Sequence, residues 1–105
     1  MRYGLLPADL EVIVNTLQAY PQIEKALIFG SRAKGNYKPG SDVDIAIVGA
    51  GIDQSQVATL SFALNEETFL PYFFDIVHYD TIEEIALKEH LDRVGTVIFQ
   101  RENGR

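Results

Sequence analysis

Residues 26–48 read ALIFGSRAKGNYKPGSDVDIAIV, and this stretch decides what the rest of the chain can be. Ala26-Leu27-Ile28-Phe29 is a short apolar run stopped by Gly30, the pattern of a buried strand. Asp44-Ile45-Ala46-Ile47-Val48 is a second such run, ended by Gly49 and Gly51. Between them, Ser31 to Lys34 has room for one helical turn, and Gly35, Pro39 and Gly40 break the chain into a loop. The two runs are expected to pair as neighbouring strands with a long excursion between them.

Outward from this stretch the pattern alternates. Leu10, Ile13, Val14 and Leu17 fall at i, i+3, i+4 and i+7, one face of a helix that Pro7 starts and Pro21 closes off. Asp53 is placed to cap a helix from about Gln54 to Glu67, with Val57, Leu60, Ala63 and Leu64 on its apolar face. Phe73-Phe74-Asp75-Ile76-Val77-His78 is aromatic and β-branched and reads as a third strand. Thr81-Ile82-Glu83-Glu84 has the capping-box pattern, Thr81 at N-cap and Glu84 at N3, for a helix to about Arg93. Gly95 is a stop, and Val97-Ile98-Phe99 fits helix and strand equally. The order implies an α/β or α+β domain with a small sheet packed against helices.

Composition narrows the function. The 105 residues fit one small domain over 1–105. Zero cysteines exclude a thiolate metal site, a disulfide scaffold and a Cys nucleophile, and suit a cytoplasmic protein. Fifteen acidic against nine basic residues, net −6, exclude a surface that is a nucleic-acid footprint throughout. The longest apolar run, Ile45 to Ile52, is far short of the ~20 residues of a membrane helix. Asp9 and Glu11 interrupt what a signal peptide would keep apolar. No GxxxxGK[ST] string occurs, so no P-loop is present.

The chemistry concentrates at the two strand ends. Gly30 permits a sharp turn and a close ligand approach, and Ser31 with the amides of Ser31 and Arg32 would open a short helix. Free N–H groups at a helix start suit phosphate oxygens, and Arg32 would add a cation. Asp42 and Asp44, one residue apart in extended chain, put two carboxylates on one face with Cα atoms about 6.6 Å apart. Such oxygen donors suit Mg²⁺ together with substrate phosphates. Asp75 stands inside an apolar strand, where a carboxylate is costly without a partner. If that strand lies beside the second, Asp75 joins Asp42 and Asp44, and three carboxylates can hold two metals for in-line phosphoryl or nucleotidyl transfer.

Gly30-Ser31, ten residues, Asp42-Val43-Asp44 and the later Asp75 resemble the polymerase-beta-type nucleotidyltransferase superfamily. The fuller strings Gly30-Ser31-Arg32-Ala33-Lys34-Gly35 and Gly40-Ser41-Asp42-Val43-Asp44-Ile45, with His90-Leu91-Asp92-Arg93-Val94-Gly95, are similar to its minimal nucleotidyltransferases, short antitoxin-type proteins often paired with a HEPN-domain partner. The resemblance implies that family's fold, with a small mixed sheet. It implies that Gly30 and Ser31 bind the triphosphate, helped by Arg32. It implies that Asp42, Asp44 and Asp75 bind two Mg²⁺ ions, Asp75 also deprotonating the acceptor. The activity it implies is transfer of AMP from ATP to a hydroxyl, a tyrosine of a cognate HEPN toxin. Ser41 is open between capping the turn and touching the nucleotide, and Lys34 between solvent and phosphate.

Two other functions share these residues. A non-catalytic antitoxin would neutralise its partner by covering it, and intact Asp42, Asp44 and Asp75 speak against that. A small-molecule nucleotidyltransferase of the aminoglycoside-modifying type would keep the chemistry, but larger relatives carry an extra acceptor domain. No direct nucleic-acid or membrane binding is expected, and self-association or pairing with a partner is. His78 is expected to pack at a strand end, His90 to lie on the surface, and Tyr72, Phe73, Phe74 and Tyr79 to form core and rim.

Overall fold

Strand β2 (Val43–Val48) lies inside the sheet, and everything else is arranged around it. The computed structural model describes residues 2–102. β2 pairs antiparallel with β1 (Lys25–Phe29) on one side and parallel with β3 (Phe74–His78) on the other. β4 (Thr96–Gln100) adds antiparallel to β1, giving the order β3-β2-β1-β4. The ambiguous Val97–Phe99 run is therefore a strand. Its pairing with β1 settles what periodicity over so few residues could not.

Period-two alternation divides the sheet into two faces. Ile28, Val43, Ile45, Ile47 and Phe74 point into the main core, under helices α1 (Pro7–Gln18) and α3 (Gln54–Phe62). Ile13, Leu17, Leu60 and Leu64 close that core from the helices. Truncating a side chain as enclosed as Ile45 to Ala costs roughly 3 kcal/mol. The opposite face carries Phe29 and Ala46, covered by Leu91 of α4 (Ile85–Val94) with Leu87 and Val94 beside it. By the same alternation Asp44 and Asp75 belong to this second face.

Local chemistry explains most boundaries. Asp53 accepts from the Gln56 N–H at 2.8 Å and the Gln56 side chain accepts from the Asp53 N–H, a complete capping box. The expected helix to Glu67 continues past Phe62 as a π-helical turn, Ala63–Glu67. Asn65 in that turn accepts from the Phe74 N–H (2.7 Å) and donates to the Phe74 carbonyl (3.0 Å).

The proposed capping box at Thr81 does not form. Tyr79–Thr81 is a 3₁₀ turn, Thr81 Oγ1 donates back to the His78 carbonyl, and α4 starts at Ile85 with Glu84 as its N-cap. Ile82 is extended and packs against the second core, and that apolar contact overrides the local capping pattern.

Candidate active site

β1 ends at Phe29, whose register partner on β2 is Asp44. The next residue, Gly30, has φ +71 and starts α2 (Gly30–Lys34). A Cβ on Gly30 would collide with the Asp44 carboxylate, so glycine is required both by the backbone and by the acid beside it. The N–H groups of Ser31 and Arg32, in the first turn of α2, have no partner within that helix. The glycine–serine corner and the β2 acids thus meet at one end of the sheet.

Asp75 is the register partner of Asp44 across the parallel β2–β3 pair, which puts both side chains on the same face. Asp42 precedes β2 at the same parity as Asp44. Asp44 is half-buried, whereas Asp42 and Asp75 are exposed. Burial, then Asp75, then Asp42, push the Asp44 carboxyl above its ordinary pKa, while Arg32 acts the other way. Asp75 does not carry the desolvation cost that its apolar neighbours suggested. β3 is an edge strand, and it turns Phe74 inward and Asp75 out.

The donor set fits a divalent cation in kind: oxygen ligands only, on one side of the sheet, with like charges crowding Asp44. Among the described residues, no group of three or more His, Cys, Asp or Glu side chains already stands arranged to hold a metal ion.

The remaining expected residues divide. Arg32 is 2% exposed. Its Nε and Nη2 donate to the Ser41 carbonyl (3.2 and 2.9 Å) and Nη1 donates to the Tyr3 carbonyl (2.9 Å). Its guanidinium also lies over the rings of Tyr37 and Tyr72. Tyr72 in turn donates to Asp9 of α1 at 2.7 Å. Arg32 therefore ties the N-terminal segment to the backbone one residue before Asp42. Ser41 Oγ accepts from the Lys38 N–H at 2.8 Å and closes the Lys38–Ser41 turn, while Lys34 is exposed. His78 is packed at the end of β3, with Nε2 2.9 Å from the Gly49 carbonyl. Phe74 is core, but Phe73 is 60% exposed.

His90 is the residue that the sequence reading misplaced. It is half-buried, its ring meets Phe29 edge-on, and Nε2 accepts a hydrogen bond from the Gly30 N–H at 3.2 Å. The signal was available: Leu87, His90, Leu91 and Val94 fall at i, i+3, i+4 and i+7, so His90 lies on the inward face of α4.

Comparison with known proteins agrees with this architecture. Residues 11–104 match the family described as Polymerase beta, Nucleotidyltransferase. No curated protein matches the chain. The chain is similar to a crystal structure of a toxin–antitoxin with AMP-PNP, at 22% identity and a TM-score of 0.73, over 89% of this chain and 74% of that one. It is also similar to a structure of the tri-AMPylated Shewanella oneidensis HEPN toxin in complex with MNT antitoxin, at 20% identity and a TM-score of 0.69, over 90% of this chain and 71% of that one. These likenesses bear out the expected fold, a small mixed sheet packed against helices. Among the described residues, no helix is long and apolar enough to cross a membrane.

Proposed function

The chain belongs to the polymerase beta nucleotidyltransferase family, and from that premise we propose that it transfers AMP from ATP to a tyrosine hydroxyl of a HEPN-type toxin and so acts as an antitoxin. The observation that carries this reading is the placement of Asp44, which faces the Gly30 corner on one side and Asp75 on the other. A triphosphate gripped at the corner would lie against the acids, which is what nucleotidyl transfer requires and what a merely covering protein does not need. The similar toxin–antitoxin structures, one with AMP-PNP and one with a tri-AMPylated toxin, support the choice of nucleotide and acceptor.

In this reading the Ser31 hydroxyl and the N–H groups of Ser31 and Arg32 hold phosphate oxygens at the start of α2. Asp42, Asp44 and Asp75 would hold two Mg²⁺ ions, which would supply charge neutralisation at the α-phosphate and acidify the acceptor hydroxyl. Asp75, exposed on the edge strand, takes the hydroxyl proton. The acceptor oxygen bonds to the α-phosphorus as the α–β bridging bond breaks, and pyrophosphate leaves with the bond's electron pair. Arg32 acts from behind, fixing the Ser41 carbonyl and with it the entry of Asp42 into β2.

The test is to incubate the protein with labelled ATP, Mg²⁺ and its HEPN partner. The expected result is a mass gain of one or more AMP units on a partner tyrosine, lost when Asp42 and Asp44 are both changed to Asn. A double variant that still neutralises the toxin in cells would show neutralisation by covering and overturn the enzymatic account. Labelling of an aminoglycoside instead of the partner would move the acceptor to a small molecule.

A further inference from the structure

We infer that His90 is the positioning residue of the glycine–serine corner: its Nε2 holds the Gly30 N–H and so fixes the peptide from which Ser31 is presented to the triphosphate. The inference rests on the nucleotidyl-transfer reading and adds a residue of α4 to it.

The observations come from both partners. Gly30 is a hinge without a side chain, at φ +71, and glycine has more backbone freedom to lose than any other residue. Its N–H faces away from the main core, toward α4, and finds its acceptor 60 residues along the chain. The acceptor must be the neutral ring with its proton on Nδ1, because a protonated imidazole has no lone pair to offer. The ring is itself held, edge-on to Phe29 at 6.1 Å between centroids. Phe29 is buried with Leu91 in the second core, so α4, the end of β1 and the corner share one packing unit. α4 is in contact with both α2 and β1.

The consequence is mechanical. A Phe29–Gly30 peptide that could rotate would swing the first turn of α2, and with it the Ser31 hydroxyl. It would also alter the space that Gly30 leaves for the Asp44 carboxylate. His90 touches neither substrate nor reacting atoms in this scheme. Its effect passes through Gly30, which predicts a change in nucleotide affinity larger than the change in turnover.

Two substitutions separate the acceptor from the ring. His90→Phe keeps an aromatic edge against Phe29 and removes the acceptor, whereas His90→Gln removes the ring and restores an acceptor at similar reach. The first measurement is solvent exchange of the Gly30 amide without nucleotide. The second is KM for ATP and kcat for AMP transfer, with Tm recorded for each protein. For His90→Phe we expect Gly30 exchange to accelerate at least about tenfold and KM to rise about tenfold, with kcat within about threefold. His90→Gln should lie near the parent in both. Equal Gly30 protection in the parent and His90→Phe, an unchanged KM, or a His90→Gln variant as impaired as His90→Phe would each overturn the inference. If His90→Phe melts below the assay temperature, His90→Leu replaces it under the same criteria. Should the parent protein fail to transfer AMP at all, the proposed function fails, and Gly30 exchange alone decides whether His90 holds the corner.

Discussion

Arg32 and Asp44 stand twelve residues apart on either side of one loop, and the fold treats their charges in opposite ways. Arg32 is enclosed, with three donors on two carbonyls and two tyrosine rings against its guanidinium. Asp44 is half-buried and pressed by Asp75 and Asp42, so that its proton is held more tightly than in water. The first arrangement is a finished network that stabilises the loop. The second leaves a carboxylate crowded by like charges, and it is on this crowding that the proposed cation and phosphate site rests. The lesson is that burial and satisfaction, more than charge or motif membership, separate a residue that builds the site from one that acts in it.

The comparison can be broken from the acid side first. Asp44→Asn should reduce AMP transfer by at least about a thousandfold, roughly 4 kcal/mol of barrier, while raising Tm. The gain follows from linkage. Asp44's folded pKa is raised, so its contribution to stability is full at low pH and lost as pH rises through the folded value. Calorimetry of parent and variant should therefore show the gain at neutral pH and its disappearance below Asp44's ordinary value of 3.8. A variant that is both inactive and less stable would place Asp44 with Arg32 among the builders.

Gly30→Ala should follow closely, because the added Cβ meets the Asp44 carboxylate and the left-handed backbone is strained. Transfer should fall by about a hundredfold or more, with a loss of roughly 1–3 kcal/mol in urea unfolding. Asp75→Asn should lower transfer by a similar factor and leave the urea midpoint unchanged or slightly raised, since Asp75 is exposed and its charge presses on Asp44. A melted Asp75 variant would reassign it to structure.

Arg32 gives the converse result. Arg32→Met should cost roughly 2–4 kcal/mol in urea unfolding, since two carbonyls lose their donors. Its ATP affinity at a temperature where it stays folded should change less than that of Asp44→Asn changes transfer. The smallest effect is expected from Lys34→Ala, whose exposed side chain should leave Tm essentially unchanged and KM within about twofold of the parent.

Much of this was legible in the chain because local signals and tertiary demands agreed. The apolar runs before Gly30 and after Asp44 are strands because the core needs Ile28, Ile45 and Ile47 on one face. The same alternation carries Asp44 to the other. Asp75 could be placed only conditionally, since β2–β3 pairing is a long-range event that no local pattern encodes. Arg32 read as a phosphate cation because its motif sits beside Ser31, yet the Tyr3, Tyr37 and Tyr72 groups around it come from three separate stretches. Thr81 failed for the reason that Ile82 is needed in the second core. The polar residues of its helix point His90 to the surface, whereas its helical phase with Leu87, Leu91 and Val94 puts it inward.

One detail of the fold bears on association. On the outer rim of β3, the Asn65 amide occupies both backbone groups of Phe74, as a single rung of a neighbouring strand would. An incoming chain cannot add to the sheet at that rung without displacing the amide, so the π-turn guards the open border beside Asp75 against strand-on-strand aggregation.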